Sequence, residues 1–360
     1  METSRRNSWR QVFLIGPGCM SRGTLLRIIV TLVILAWLCY RINWTELRTT
    51  VSGMNVALGL AALAIAAVVQ VANGSRWWLL ARPLGFNDGW FRFVQLYLVG
   101  LYFNLFMPSV VGGDVIRSWY LDGNRGKRPL ALVSVFVEQS SNMLMLLVLA
   151  VIAAIASWNS LPPWMPIVVL IVCGGGVGGA ALLILIAPVA NRRLAGTQSR
   201  IGRFFREYVR TFAEAVSIYR ERRALFFGSL VAALASHTLN ITGAWLTAQA
   251  LGIDVSLGYM MIVIPLLATL LLVPISISGI GVRETSLSMF LAPKGIAESA
   301  SVGLGLLTFF NFALVSLSGG VIYALGRFPK LNFKSPAPAA EPDGALVPIG
   351  SAAADANVVR

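Results

Sequence analysis

Apolar segments of helix length follow one another along almost the whole chain, and this pattern limits the fold more than any other feature. They extend from Leu25 to Leu325, and no soluble stretch of domain size lies between them. With 57% apolar and only 12% charged residues, a soluble fold of this length would lack polar surface. The bilayer must therefore be the solvent, which predicts an all-α polytopic membrane protein.

Segments of about 17–25 apolar residues can cross a bilayer as helices, and six parts of the chain fit this criterion. They centre on 24–40, 56–73, 130–156, 164–190, 224–250 and 299–326. Two further apolar regions, 91–121 and 257–292, are interrupted by proline and glycine, which end a helix and let the backbone turn. We therefore predict about six full spans plus two broken or re-entrant hairpins.

Arginine placement predicts the orientation of this transmembrane domain, which is expected to cover residues 24–328. Basic side chains lie in the N-terminal segment 1–23 and again just after the last span, so both termini are expected in the cytoplasm. The tail 329–360 is rich in Ser, Pro, Ala and Gly and has no apolar periodicity, which predicts disorder. These features are typical of a multi-pass protein of a bacterial inner membrane.

The segment 191–223 combines many arginines with apolar residues at three- and four-residue steps. This pattern predicts an amphipathic helix on the cytoplasmic interface, with its aromatic stripe in the acyl boundary and its arginines on anionic headgroups. A simpler interpretation is an anchor that follows the positive-inside rule and binds no ligand.

The number of membrane crossings between loops of predicted orientation also orients the two hairpins. Region 91–121 should enter and leave on the cytoplasmic side, and 257–292 on the external side. Residues 108–114 would then be reached from the cytoplasm and 276–282 from the periplasm. Hairpins that enter from opposite faces suggest an inverted repeat, which many transporters build around a midplane site.

Both broken segments contain proline, serine and two glycines, followed by an acid with an arginine close by. Backbone freed from a helix at membrane depth is tolerated only where it is buried in protein or lines a wet cavity. Arginine matches a phosphate with its planar fork, and a helix start offers free N–H groups. The candidate residues for binding a headgroup phosphate are Asn104, Pro108, Gly112, Gly113, Asp114, Arg117, Glu138, Ser276, Gly279, Gly281, Arg283 and Glu284.

The same charges also allow a purely structural interpretation. Ionisable groups in a membrane are expensive unless they are paired. Asp114 would pair with Arg117, and Glu284 would pair with Arg283 or Glu138, so that the hairpins are held in place and bind nothing.

Other polar residues in the spans give weaker signals. His237 could belong to a proton relay, but a hydrogen bond to a neighbouring helix is the favoured interpretation. Gln70, Asn73 and Arg76 are interpreted as interfacial anchors at the end of the second span. The three cysteines lack metal-ligand spacing, and no metal, cofactor or catalytic residue is predicted. The formal charge of +14 favours anionic lipid headgroups over nucleic acid as partners.

The run from Asn104 to Arg117, Glu138 within Phe136-Val137-Glu138, and the run from Pro274 to Glu284 resemble the lysylphosphatidylglycerol synthase transmembrane-region family, also called the flippase-like domain family. The likeness covers about residues 20–328. In two-domain members the membrane region translocates aminoacylated phosphatidylglycerol, which a separate soluble domain synthesises. For this chain the resemblance implies the translocase-like membrane region alone, with no aminoacyl-transfer activity.

One part of the helix after the first motif departs from this family. Members often have glutamate-arginine followed by an aspartate, whereas this chain has Glu138, Gln139 and Asn142. The acid is kept and two charges are lost, which argues against a charge-relay role and against the same lipid.

The leading functional hypothesis is a translocase for a phospholipid or a polyprenyl-linked lipid intermediate. The alternative is a non-transporting accessory protein that binds a lipid or a membrane glycosyltransferase, with 201–219 as its contact surface. An enzyme is not expected, because the chain shows no external His/Cys/Asp cluster and no nucleophile elbow.

Overall fold

The computed structural model describes residues 40, 45, 48–49, 52–106, 111–123, 125–156, 158, 162–165, 167–171, 174–175, 178, 211, 215, 217–272, 276–326 and 328. The predictions for 1–23, 24–40, 164–190, 191–223 and 329–360 lie wholly or largely outside these residues.

Helices and short 3-10 turns make up all the regular structure in the described part of the chain, which confirms the all-α prediction. Three 3-10 turns, at Arg82–Leu84, Ile277–Gly279 and Ala292–Lys294, accompany the longer helices. The α-helices are α1 Val56–Ala81, α2 Trp90–Phe106, α3 Val111–Asp122, α4 Arg128–Ala156, α5 Arg223–Ala250, α6 Leu257–Leu272, α7 Val282–Leu291 and α8 Glu298–Leu325.

Four of these helices are long and apolar enough to cross a membrane: α1 with its 3-10 extension, α4, α5 and α8. Each has 28 or 29 residues, which at 1.5 Å per residue gives about 42 Å, more than the roughly 30 Å of a hydrocarbon core. They coincide with the predicted spans at 56–73, 130–156, 224–250 and 299–326. The start of α1 is fixed by Asn55, whose side chain accepts a hydrogen bond from Leu58 N at 3.2 Å.

Each predicted broken segment forms two shorter helices. The first consists of α2 and α3, which pack on each other, and the second consists of α6 and α7. The breaks themselves, 107–110 and 273–275, lie outside the described residues. With 12 and 10 residues, α3 and α7 reach only about 18 and 15 Å, too short to cross a bilayer. This geometry agrees with two helical hairpins.

The long helix α4 packs on both hairpins, but with different halves. Its buried residues between 131 and 137 join a core cluster with α1, α2 and α3. Its buried residues between 147 and 154 join a second cluster with α5, α6, α7 and α8. Because α4 is itself a candidate span, the two hairpins pack toward opposite ends of a helix that can cross the membrane.

A bidentate ion pair closes the base of the first hairpin, outside the spans. Arg125, in the turn after α3, donates to both carboxylate oxygens of Asp88, in the loop before α2, at 2.6 and 2.9 Å. This hydrogen bonding, chiefly from the Arg125 side chain, holds the pKa of Asp88 below its usual value.

We therefore expect Asp88→Asn to destabilise the protein slightly and in a pH-dependent manner. A lowered folded pKa gives stability that is present above the unfolded pKa and is lost as pH falls through the folded one. Because the pair is partly exposed, the difference at neutral pH should be below about 1 kcal/mol. Thermal melts of parent and variant in detergent should converge as the pH is lowered. A constant difference at all pH values would contradict this account.

Candidate functional site

Glu138 lies at the centre of a buried ionic network that joins three helices. It sits in the middle part of α4, and 1% of its side chain is exposed. One carboxylate oxygen accepts from Arg76 Nη2 of α1, and the other accepts from Arg117 Nη2 of α3 at 2.7 Å. A single carboxylate thus binds two guanidinium groups, one from a span and one from the first hairpin.

The guanidinium of Arg117 is held by rings as well as by acids. It lies over the rings of Trp77 and Tyr97, at 4.6 and 4.7 Å from their centroids, and only 1% of its side chain is exposed. Trp77 is itself fixed, because its indole N–H donates to Ser134 Oγ at 3.1 Å. Arg117 Nε lies 3.0 Å from Asp114 Oδ1. The predicted pairing of Asp114 with Arg117 is therefore present.

Arg76 corrects the sequence-based interpretation, which treated it as an interfacial anchor. Its side chain is fully buried, and besides Glu138 it contacts Ser141 Oγ at 3.5 Å. The physical reason is that an arginine on an apolar helix can either extend to the headgroups or find a buried carboxylate. The available signal was an arginine between the apolar run that ends at Ala72 and the apolar residues from Trp77, and its partner is 62 residues away.

Close contact between glycines places α3 against α2. A Cβ atom on Gly113 would collide with the carbonyl oxygen of Gly100 and with the Asn104 side chain, and a Cβ on Gly100 would lie 3.2 Å from Arg117 Cδ. The Asn104 Oδ1 accepts from Gly113 N at 2.7 Å. Gly112 lies in the same first turn of α3, and Pro108 lies outside the described residues. Glycine is needed here because the backbones of α2 and α3 nearly touch.

The two broken segments meet at the end of α2. Ser278 Oγ lies 3.2 Å from both Asn104 O and Leu105 O, and it donates to carbonyls that the helix end leaves free. Ser278 has φ 53°, a left-handed conformation that is uncommon for a residue other than glycine, and Gly279 and Gly281 are also left-handed. Ser278 was not among the predicted site residues, although its neighbour Ser276 was. Ser276 is buried, and its Oγ has no partner in the described part of the chain.

Glu284 serves the start of α7 and not the predicted ion pair. Its Oε2 accepts from Gly281 N at 2.7 Å, and its side chain, which is 2% exposed, packs on Gly305. The guanidinium of Arg283 lies over the Phe309 ring at 5.3 Å, and it forms no ion pair with any described residue. The ion pairs that the structural interpretation gave to Glu284, with Arg283 or Glu138, are not present among the described residues.

The predicted residues thus separate into two groups. Asn104, Gly113, Asp114, Arg117 and Glu138 form one continuous cluster between α2, α3 and α4. Ser276, Gly279, Gly281, Arg283 and Glu284 surround the second break, which reaches the first group through Ser278. Arg117 and Arg283 share no carboxylate partner within the described residues.

Together with Arg76, the first group is neutral in formal charge, because two arginines face two carboxylates. Even so, its hydrogen bonding is incomplete: Arg76 Nε and Arg117 Nη1 are buried and have no partner among the described residues. An unmet buried donor costs roughly 1–3 kcal/mol, and more when it is charged. The network therefore has unused capacity for an acceptor such as a phosphate oxygen or water.

Gln139 and Asn142, at which the sequence departs from the family pattern, contact this network or border it. Gln139 Nε2 donates to Asp114 Oδ2 at 2.7 Å. His237 Nε2 lies 2.9 Å from Asn142 O, which confirms the predicted hydrogen bond between neighbouring helices. In the described part of the chain, no group of three or more His, Cys, Asp or Glu residues could hold a metal ion.

The family model described as the lysylphosphatidylglycerol synthase TM region matches residues 24–319. Neither the curated proteins nor the solved structures gave a match.

Proposed function

Because this chain belongs to the lysylphosphatidylglycerol synthase TM-region family, we propose that it translocates a phospholipid or a lipid-linked intermediate across a bacterial inner membrane. It is a multi-pass membrane protein of a lipid-related family. The proposed role is transport and not catalysis.

One observation carries this proposal: the two broken segments meet beside a buried arginine network. Ser278 of the second segment contacts the end of α2, where Asn104 also binds the first turn of α3. Arg117 lies one turn further along α3 and reaches Glu138. Discontinuous helices that meet in a membrane domain are the usual setting of transporter substrate sites.

The two hairpins pack on different halves of α4. One hairpin belongs to the core cluster at the start of α4 and the other to the cluster at its end. Contact between the two hairpins in the described residues is limited, although α5 and α8 of the second cluster pack closely on α1 and α2 of the first. In transporters with opposed repeats, rocking of one unit against the other exposes a fixed site to each side in turn.

The chemistry of the network favours a phosphate-bearing headgroup. A guanidinium presents donors in a fixed planar fork that matches phosphate, and Arg117 retains a buried N–H without a partner. The neutral balance of the network avoids the cost of an isolated charge at membrane depth. A phosphate-bearing headgroup therefore suits the unpartnered N–H of Arg117.

We expect the parent protein, reconstituted in vesicles, to speed the movement of labelled phosphatidylglycerol between leaflets, and Arg117→Lys to reduce this rate at least tenfold. Lysine keeps the charge but lacks the fork, and so loses either Glu138 or the headgroup. Quenching of the labelled lipid from outside gives the rate. The same preparations give the amount of lipid retained on the protein.

Arg283→Lys and Glu284→Ala distinguish a phosphate-binding role of this segment from a purely structural one. A phosphate role for Arg283 predicts reduced lipid retention in Arg283→Lys. A structural role predicts a mild effect there and lower protein abundance in Glu284→Ala, because α7 loses its N-terminal cap.

The transport proposal fails if the parent does not accelerate movement of any phospholipid or polyprenyl-linked lipid. Co-purification of a stoichiometric enzyme in that case would favour the accessory role.

A further inference from the structure

The two carboxylates of the arginine network are held in different ways. Glu138 is 1% exposed and receives a guanidinium on each oxygen. Asp114, in the first turn of α3, keeps 14% of its side chain exposed. Its contact with Arg117 Nε is an ion pair without hydrogen-bond alignment. Asp114 is therefore the more accessible and the more weakly bound of the two.

Two donors from different helices converge on Asp114. Arg117 Nε lies 3.0 Å from Oδ1, and Gln139 Nε2 donates to Oδ2 at 2.7 Å. A carboxylate placed between two such donors occupies the position that two non-bridging oxygens of a phosphodiester would take. The side chain of Asp114 thus resembles an internal substitute for an anionic ligand.

Charge limits which ligand could take this position. With Asp114 in contact, the network contains two cations and two anions. A ligand with one negative charge can displace Asp114 toward the exposed side and leave the buried balance at zero. A dianionic phosphate would leave an excess negative charge, which is costly at membrane depth. A headgroup without phosphate offers no anion to replace Asp114 beside Arg117.

We propose that Asp114 is an exchangeable carboxylate, which holds Arg117 and Gln139 in the ligand-free protein and releases them to the monoanionic phosphodiester of a lipid headgroup. This inference rests on the proposed function and specifies its ligand class. Glu138 remains in place throughout, since both of its oxygens are occupied inside the protein. Asp114 acts as a competitor that sets how tightly the headgroup is held.

The test removes the competing charge. Asp114→Asn and Asp114→Ser, purified as full-length chains, should bind phosphatidylglycerol about tenfold more tightly than the parent, because the ligand no longer displaces an ionised partner. Asp122→Asn is the matched control. Asp122 is also buried and paired on α3, but it binds Arg128 and Lys127 N at the other end of the helix. It should leave lipid affinity unchanged.

Bound lipid is measured by native mass spectrometry during titration with phosphatidylglycerol, a diacyl glycolipid without phosphate, soluble glycerophosphoglycerol, or inorganic phosphate. We expect the Asp114 variants to bind phosphatidylglycerol more tightly than the parent does and to bind the glycolipid no more tightly. The soluble headgroup should bind more weakly than phosphatidylglycerol, and it should rank the variants in the same order. Melting without lipid checks that each variant is folded, and the serine variant provides a second neutral side chain.

The outcomes separate this inference from the proposed function. If the parent prefers phosphatidylglycerol to the glycolipid but neither Asp114 variant binds it more tightly, exchange is wrong and lipid binding stands. If the parent shows no preference for the phospholipid, both proposals fail. If inorganic phosphate competes as well as the lipid, the site takes free phosphate and the assignment to a headgroup is overturned.

Discussion

Glu138→Gln is expected to lower the free energy of unfolding by about 3–5 kcal/mol, the usual cost of breaking a buried ion pair from one side. Glutamine preserves the shape of the side chain, but it has only one acceptor oxygen. One guanidinium group keeps an acceptor, and the second faces the NH2 group of the amide. Arg76 or Arg117 is then left buried with an unpaired charge. The variant should yield little folded protein, and its melting temperature in detergent should fall well below that of the parent.

Glu221→Gln provides the control, because it makes the same chemical change at an exposed position. It should melt like the parent. A double variant that also changes Arg76 to glutamine should recover part of the loss, since it removes a cation that Glu138→Gln leaves unpaired. The recovered part measures the coupling between residues 76 and 138. Equal melting temperatures for Glu138→Gln and Glu221→Gln would show that the network does not stabilise the fold.

Gly113→Ala has the second largest expected effect, because the added methyl group meets backbone. Its Cβ would overlap the carbonyl oxygen of Gly100, which cannot rotate away, and would press on Asn104. Overpacking of this kind costs about 1–3 kcal/mol or more, and loss of the hydrogen bond from Gly113 N adds roughly 1 kcal/mol. Separation of α2 from α3 would also move Arg117 away from Glu138, so transport should be lost together with stability.

A series of glycine variants ranks this effect against milder ones. Gly100→Ala meets neighbours at 3.1–3.3 Å and should cost less than Gly113→Ala. Gly228→Ala, in α5, meets nothing within 4 Å and should be neutral or stabilise by about 0.4–1 kcal/mol. Melting temperatures in detergent test the order. If Gly113→Ala melts like Gly228→Ala, the close approach of α2 and α3 does not govern stability.

The difference between Glu138 and Asp114 explains how one network can both stabilise and bind. Glu138 has no exposed side and two internal partners, so its replacement should affect folding first. Asp114 is partly exposed and shares its donors, so its replacement should affect ligand affinity first. Replacement of Glu138 is therefore expected to lower stability, and replacement of Asp114 to raise lipid affinity, although both acids contact the same arginine.

The class of fold and the position of the candidate site follow from local features of the sequence. Apolar runs of bilayer length specify spans whatever their neighbours are, because the membrane forces each backbone to satisfy its own hydrogen bonds. Proline and glycine at 108–113 and 274–281 likewise predict breaks locally. For these reasons the four described spans, both hairpins and the pairing of Asp114 with Arg117 three residues along α3 could be predicted.

Which charges meet across helices depends on the tertiary fold and could not be predicted. Arg76 reaches Glu138 across 62 residues of sequence, and Ser278 reaches Asn104 across 174. Glu284 has arginine beside it in sequence, yet it binds the free N–H of Gly281, because an uncapped helix start is the nearer unmet donor. Partner choice for a buried charge depends on the packing of whole helices, and a local pattern of residues does not contain that information.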